Sequence, residues 1–312
     1  MAAACLAMAA AASAATDATP EARAYIEKYG IDFSFDREQE AIALYDRILA
    51  TTRHVGNTPA ILRAQKYGAD ARNRLDVHYP REAAPAARPV IVFVHGGGFV
   101  SGDTKVGQIV YDNVADYFAR HGLVAINMTY RLAPQFKWPS GVEDVAAALR
   151  WVKSHAQQFG GDPRRIFLFG HSAGAAHVAD FIYGNAGRDA QELAGAILAS
   201  GVYTVTDSGP DDAYYGTDVA LRPRQSAMKL AAGGRALPTL ILFAEYDPAF
   251  MQDEALDLAR TLCTRDKRCP GITRIDGHNH LSEIFHFDTA DDSGGREILA
   301  FITGVTGGKA PH

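Results

Sequence analysis

Five short, nearly continuous apolar runs constrain the fold of this 312-residue chain more than any other feature. They are Val90–Val94, Leu123–Met128, Ile166–Phe169, Ala194–Ala199 and Thr239–Phe243. Runs of this length without polar alternation suit strands covered on both faces, as in parallel sheets. Between them lie helical stretches: Val142–Phe159, with Val145, Leu149 and Val152 in register, Ala173–Tyr183 and Phe250–Leu262. Strand followed by helix, repeated, implies an α/β fold with a mostly parallel central sheet, right-handed crossovers and flanking helices. Ligands of such sheets sit outside the carboxyl ends of the strands. Two glycine clusters lie at such ends.

One cluster, Gly170-His171-Ser172-Ala173-Gly174, directly follows Ile166–Phe169 and precedes an apolar helix. It matches G-x-S-x-G, in which the serine occupies a strained position on a sharp strand-to-helix turn. The glycines spare the flanking strand and helix a Cβ clash. The turn lifts the hydroxyl over a helix N-terminus, whose dipole favours developing negative charge. A plain Gly-Ser turn is the alternative for five residues alone, and the placement between strand and helix argues against it. The other cluster, His95-Gly96-Gly97-Gly98-Phe99, ends the run Val90–Val94. Three glycines cost chain entropy if they only close a turn, whereas their bare amides can converge on an oxyanion. Gly97 and Gly98, with Ala173 as third donor, are the expected oxyanion hole, and His95 is expected to pin the loop.

With these motifs in this order, the chain resembles the hormone-sensitive-lipase-like carboxylesterases of the α/β-hydrolase fold, which carry His-Gly-Gly-Gly near the oxyanion hole. Leu75-Asp76-Val77 before Tyr79-Pro80, Ser101-Gly102-Asp103, Tyr130-Arg131-Leu132-Ala133-Pro134 and Gly161-Asp162-Pro163 extend the likeness over roughly residues 60 to 302. The resemblance implies a serine nucleophile, Ser172, followed in the chain by an acid and then a histidine base. Asp247, just beyond Thr239–Phe243, fits the acid, with Glu245 as the alternative; Asp253 and Glu254 are expected on an exposed helix face. In Gly277-His278-Asn279-His280-Leu281-Ser282, His280 fits the base, with His278 as the alternative. Neither metal nor cofactor is expected, since His278-x-His280 lacks a carboxylate in a fixed pattern and no H-E-x-x-H occurs.

Two segments are expected to cover the cleft, Glu21–Arg53 and Val202–Pro238. The second carries Tyr203, Tyr214, Tyr215 and Met228 among polar residues and reads as a short cap rather than a long amphipathic lid. Small to medium carboxylic esters are therefore the expected substrates, contacted by Phe99, Val100, His171, Tyr203 and Tyr215. Close variants are a feruloyl-type aryl esterase and an arylformamidase-like amidase; a non-catalytic ligand receptor on the same fold is the alternative from another class. The resulting division is a helical segment over 16–60 that contributes to the cap, a catalytic domain over 61–304 with a cap insertion at about 202–237, and a tail over 305–312.

Residues 1–15 are almost all small and apolar, with Ala12-Ser13-Ala14 fitting a cleavage site, and they read as a signal peptide. A disordered alanine-rich leader is the alternative. The stretch falls short of the ~20 apolar residues that span a bilayer, so stable membrane insertion is not expected. Removal of the leader takes Cys5 with it and leaves Cys263 and Cys269, an even pair able to close a short loop in an oxidising compartment. Such a loop stabilises by about 2 kcal/mol on the chain-entropy model. Periplasmic or secreted localisation follows. Lys plus Arg total 31 against 36 Asp plus Glu, a net charge of −5 that lacks the basic surplus nucleic acid binding requires. The expected partner is a small-molecule ester, and a homodimer is compatible with the sequence.

Overall fold

The computed structural model describes residues 19–52, 58–82, 84, 87–184, 192–206, 209 and 211–307. The leader over 1–15 with Cys5, and the end of the 305–312 tail, lie outside them. The described elements run α1 (Pro20–Tyr29), α2 (Phe35–Thr51), β1 (Ala60–Lys66), β2 (Arg74–Tyr79), β3 (Arg88–Val94), α3 (Asp112–Arg120), β4 (Val124–Met128) and α4 (Ser140–His155). They continue with β5 (Gly161–His171), α5 (Ala173–Tyr183), β6 (Gly195–Ala199), α6 (Asp212–Tyr215), α7 (Arg222–Gln225) and α8 (Ala227–Ala231). The last are β7 (Thr239–Tyr246), α9 (Ala249–Asp266), β8 (Gly271–Asn279), α10 (Ser282–Phe285) and α11 (Ser293–Thr306).

One sheet holds the strands in the order β1-β2-β4-β3-β5-β6-β7-β8. Pairing is parallel from β4 through β8, and β1 and β2 add an antiparallel edge. The apolar runs lack polar alternation because each strand is covered on both faces. Val90, Val92 and Val94 of β3 face a core built with α4, α5, α8 and α9. Ile91 and Phe93 face a second core built with α1, α2, α3, α10 and α11. At the antiparallel edge Ala64 bulges outward with φ 53°, and its amide donates to Asp76 Oδ1 at 2.7 Å.

The described part of the amphipathic stretch Glu21–Arg53 holds two helices, because Gly30 turns the chain with φ 49° and ends α1. The elbow strand begins at Gly161, five residues before its apolar run, and β8 ends at Asn279, directly before His280. Helices α3 and α11 have no counterpart in the sequence reading; α11 opens on Ser293-Gly294-Gly295, whose glycines disguise a helix start. No helix among the described residues is long and apolar enough to cross a membrane.

A buried side-chain amide joins α3 to the end of α10 and the loop after it. Asn113 Nδ2 donates to the carbonyls of Phe285 and Phe287 at 3.0 and 2.9 Å, and its Oδ1 accepts the amide of Tyr111 at 2.7 Å. Tyr111 itself has φ 75°, so this bond also holds a strained turn. Asn113→Ala strips these partners in a site that water does not reach. It is expected to destabilise the fold by about 2–4 kcal/mol, measured as a shift in the urea midpoint at constant m-value.

Candidate active site

Ser172 stands between β5 and α5 with φ 54° and ψ −123°, a strained conformation for a residue that carries a Cβ. Its amide donates to the Ala199 carbonyl of β6 at 2.9 Å, which helps to hold the turn. A Cβ at Gly170 would lie 2.5 Å from the Gly174 carbonyl oxygen, and one at Gly174 would overlap the carbonyls of Val94 and His95. Both glycines are therefore forced by the closeness of backbone to backbone. The structure brings Ser172, Asp247 and His280 together from the ends of β5, β7 and β8. Ser172 Oγ lies 3.0 Å from His280 Nε2, and His280 Nδ1 lies 2.9 Å from Asp247 Oδ1. Asp247 is buried, and its Oδ2 accepts the Ala244 amide at 2.8 Å and the Ser200 hydroxyl at 2.5 Å.

Gly97 and Gly98 adopt φ 114° and 56° in the loop after β3. The Gly97 carbonyl accepts the amides of Val100 and Ser101, at 3.1 and 3.0 Å, and the Ser101 hydroxyl, at 2.9 Å. Folded back on itself in this way, the loop lines one cleft with Ala173 and Ser172. His95 sits behind it. Its Nδ1 donates to the Gly96 carbonyl at 2.6 Å, its Nε2 pairs with Thr129 Oγ1 at 3.1 Å, and the Tyr130 hydroxyl donates to its carbonyl at 2.9 Å. Burial lowers its pKa to about 4, so His95 is a neutral brace at physiological pH. His171 is also buried and neutral, its pKa held well below the usual imidazole range by burial and by the charge of His280. Its Nε2 donates to the His280 carbonyl at 2.9 Å.

The alternatives for acid and base occupy supporting positions. Glu245 Oε2 accepts the Gly277 amide at 2.8 Å, tying the end of β7 to β8. His278 is wholly buried, between the Ser282 hydroxyl and Asp291, each at 3.1 Å. Among the described residues two groups have the spacing of metal ligands, His171 with His280 and Glu283, and His278 with His286 and Asp291. In the second, His286 Nδ1 donates to the Ser282 carbonyl at 2.8 Å and Nε2 accepts the Gly294 amide at 3.3 Å, so its ring nitrogens are engaged by the protein. In the first, Ser172 and Asp247 occupy both nitrogens of His280.

Phe99, Val100, His171 and Tyr215 line the cleft, and Tyr203 does not. The Tyr203 ring is 1 % exposed and packs under Gly201 in the core, while its neighbours Val202 and Thr204 face the cleft. Glu254 explains this orientation, since its Oε2 accepts the amides of Tyr203 and Thr204 at 3.0 and 3.1 Å. Glu254 is thus a half-buried clamp at the cleft wall, contrary to the exposed helix face expected for it; Asp253 alone is exposed.

Several wall residues escape the sequence reading: Phe33, Phe35, Glu38, Phe250 and Met251. Phe33 lies in the break between α1 and α2, with its ring centroid 4.7 Å from that of His280. The available signal was Phe33-Ser34-Phe35, aromatic residues in a polar break where no core needs them. The cap helices join this wall as Tyr214 and Tyr215 of α6 pack on Phe99, Tyr214 stacking at 4.7 Å.

The BD-FAE family profile matches residues 75–197. Carboxylesterase NlhH of Mycobacterium tuberculosis is 44% identical over 87 residues, which make up 28% of this chain and 26% of that protein. An ethyl acetate hydrolase of Pseudomonas putida is 28% identical over 206 residues, 59% of this chain and 63% of that protein. The chain thus spans less than two thirds of these curated relatives. A hyperthermophilic esterase from the archaeon Pyrobaculum calidifontis superposes with a TM-score of 0.70 at 23% identity, covering 93% of this chain and 98% of that one. Sheet order, elbow and structural likeness agree: the chain has the α/β-hydrolase fold.

Proposed function

We propose that the protein is a serine carboxylesterase of the hormone-sensitive-lipase-like type that hydrolyses small to medium carboxylic esters. The observation that carries this reading is the hydrogen-bonded line from Ser172 through His280 to Asp247, opening into a cleft whose wall includes a glycine loop. His280, oriented by Asp247, takes the Ser172 proton as the oxygen attacks the ester carbonyl. The amides of Gly97, Gly98 and Ala173 receive the oxyanion, each such donor typically contributing ~10²–10³ in rate. His280 then protonates the departing alcohol, and water repeats the sequence on the acyl-enzyme. The names of the relatives, a carboxylesterase and an ethyl acetate hydrolase, support an ester as substrate.

Ser172→Ala is expected to lower kcat on p-nitrophenyl acetate and butyrate by ~10⁴-fold or more, and a phosphonate probe to add its mass at Ser172 alone. Equal activity in the variant with no labelled Ser172 would sink the mechanism. Across acetate to palmitate, activity is expected to peak at the short esters, because the cleft holds about 800 Å³. Aryl esters are a second reading, favoured by the rings of Phe33, Phe35, Phe99, Tyr215 and Phe250 on its walls.

Charge narrows the substrate further. Glu38, Asp211, Asp212 and Glu254 line the cleft, with no lysine or arginine among the described lining residues. Asp212 is paired with Arg222 at 2.8 Å and Glu254 with two amides, which leaves Glu38 and Asp211 to meet the substrate. Burial raises the Glu38 carboxyl above its usual range, and the nearby charge of His280 opposes that rise. Neutral or cationic esters fit this field, and esters bearing a free carboxylate do not. A p-nitrophenyl ester with a terminal carboxylate is expected to react at least ~10-fold more slowly, by kcat/KM, than its neutral isostere, and Glu38→Gln to narrow that gap.

The leader and the cysteine pair support export to the periplasm or beyond. Cys263, in the last turn of α9, and Cys269, just beyond the helix, have Cα atoms 4.1 Å apart, close enough to be bridged. Intact mass without reductant on chain produced with its leader is expected to show a disulfide-bonded species lacking the leader. Free thiols in an exported product would remove the disulfide.

A further inference from the structure

Phe33 belongs to neither core. It lies in the break between α1 and α2, is 37 % exposed, and holds its ring centroid 4.7 Å from that of His280. The break that presents it is fastened on both sides. The Tyr25 hydroxyl of α1 donates to the Arg37 carbonyl of α2 at 2.7 Å, and the Arg37 guanidinium sits over the Tyr29 ring at 4.4 Å. Asp32 Oδ1 accepts the Ser34 amide at 2.9 Å. A half-exposed ring held in this way is preorganised, so a ligand that packs on it spends little on ordering it. Phe35, in the first turn of α2, lines the cleft beside it.

The chemistry of acyl transfer fixes which half of an ester meets this ring. At the tetrahedral carbon one bond goes to Ser172 Oγ and the oxyanion turns to the glycine loop. The departing oxygen has to come within hydrogen-bond reach of His280 Nε2 to take its proton. The acyl substituent takes the remaining direction, away from the imidazole. Two rings contact that imidazole, His171 with centroids 4.8 Å apart and Phe33. His171 is buried and its Nε2 is spent on the His280 carbonyl, whereas Phe33 opens to the cleft. A group carried by the departing oxygen therefore meets Phe33 first.

We propose that Phe33, with Phe35, forms a subsite for the alcohol half of the ester, that this subsite takes an arylmethyl or aryl alcohol, and that Phe33 determines leaving-group specificity. Offset or tilted packing of the alcohol's ring on Phe33 supplies the selectivity. The same surface serves the reverse step. An arylmethyl alcohol seated on Phe33 gives its proton to His280 and attacks the acyl carbon, the bond from that carbon to Ser172 Oγ breaks, and Ser172 recovers a proton from His280. The product is a new ester, so the protein transfers acyl groups to such alcohols in competition with water.

The inference rests on the proposed roles of Ser172, His280 and Asp247. Three neutral esters separate the two halves: benzyl acetate, its isomer methyl phenylacetate with the ring on the acyl side, and methyl acetate with no ring. Benzyl and methyl alcohols leave with similar ease, so the position of the ring is the variable. Wild type is expected to favour benzyl acetate over methyl acetate by ~10-fold or more in kcat/KM. Phe33→Ala is expected to lower kcat/KM on benzyl acetate ~10-fold and to leave the other two esters within about 2-fold, while Phe33→Tyr, which keeps the ring, retains the preference. With p-nitrophenyl acetate and added benzyl alcohol, the ratio of benzyl acetate to acetate formed is expected to fall ~10-fold in Phe33→Ala. That ratio is set after p-nitrophenol has left and is independent of how much enzyme is active. No preference for benzyl acetate in wild type overturns the proposal, as does an unchanged product ratio in Phe33→Ala. Equal losses on all three esters would mean that Phe33 only holds His280, and a larger loss on methyl phenylacetate would put the ring on the acyl side. Full activity of Ser172→Ala on the three esters would remove the site reading and the subsite with it, a result distinct from all of these.

Discussion

The approach of Gly174 to the carbonyls of Val94 and His95 sets the geometry on which the site depends. It lets the N-terminus of α5 close on the end of β3, so the nucleophile turn and the glycine loop come from neighbouring strands. A Cβ at Gly174 would have to push β3 and β5 apart, and these strands are paired from Val90 to Val94. The strain at Ser172 is the local counterpart of that closeness. It is sustained by the Ala199 carbonyl on one side and by helix hydrogen bonding on the other. Ala173, the first residue of α5, presents its amide at the helix N-terminus, where the helix dipole reinforces it as a hydrogen-bond donor.

Around that contact the protein places its polar groups in order along the carboxyl ends of the strands. His95 braces β3, His171 and Ser172 end β5, Ser200 follows β6, Asp247 follows β7 and His280 follows β8. Desolvation keeps His95 and His171 neutral, so neither places a positive charge behind the line from Ser172 to Asp247. Asn113 supports the same arrangement from the far face by holding carbonyls at the end of α10 and in the loop after it. Packing and hydrogen bonding thus converge on the loop that carries His280 and Glu283.

The parallel sheet and its glycine turns were legible in the sequence because both follow from local constraints. A doubly covered strand needs an unbroken apolar run, and close backbone contact needs glycine. Asp247 and His280 required family order as well, since Glu245 and His278 are as polar and stand two residues away from them. Their separation from those alternatives is tertiary: the β7–β8 tie occupies Glu245, and Asp291 with Ser282 encloses His278. Tyr203 could not be oriented from sequence, because the inward turn of its ring depends on Glu254, fifty-one positions away. An isolated acidic residue on a helix gives no sign that it is clamping two distant amides.

The N-terminal segment illustrates the same limit and has a consequence for specificity. Its pattern predicts an amphipathic helix, and one face of α2 does enter the core through Ile42, Leu44, Tyr45, Ile48 and Leu49. The break at Gly30 changes what the opposite end does, because it presents Phe33 to His280 and starts α2 with Phe35 and Glu38 on the cleft wall. Asp46, further along α2, accepts the amides of Gln108, Ile109 and Val110 at 2.7, 2.8 and 3.2 Å, fixing the helix to the segment beyond the glycine loop. The wall residues are therefore mounted on an element anchored at its centre rather than on a free lid. With Phe35 69 % exposed and Phe250 53 % exposed, the mouth of the cleft is apolar, while Glu38 and Asp211 lie among its carboxylates. On the proposed reading, an ester substrate has to satisfy both, which favours an apolar body without a negative charge.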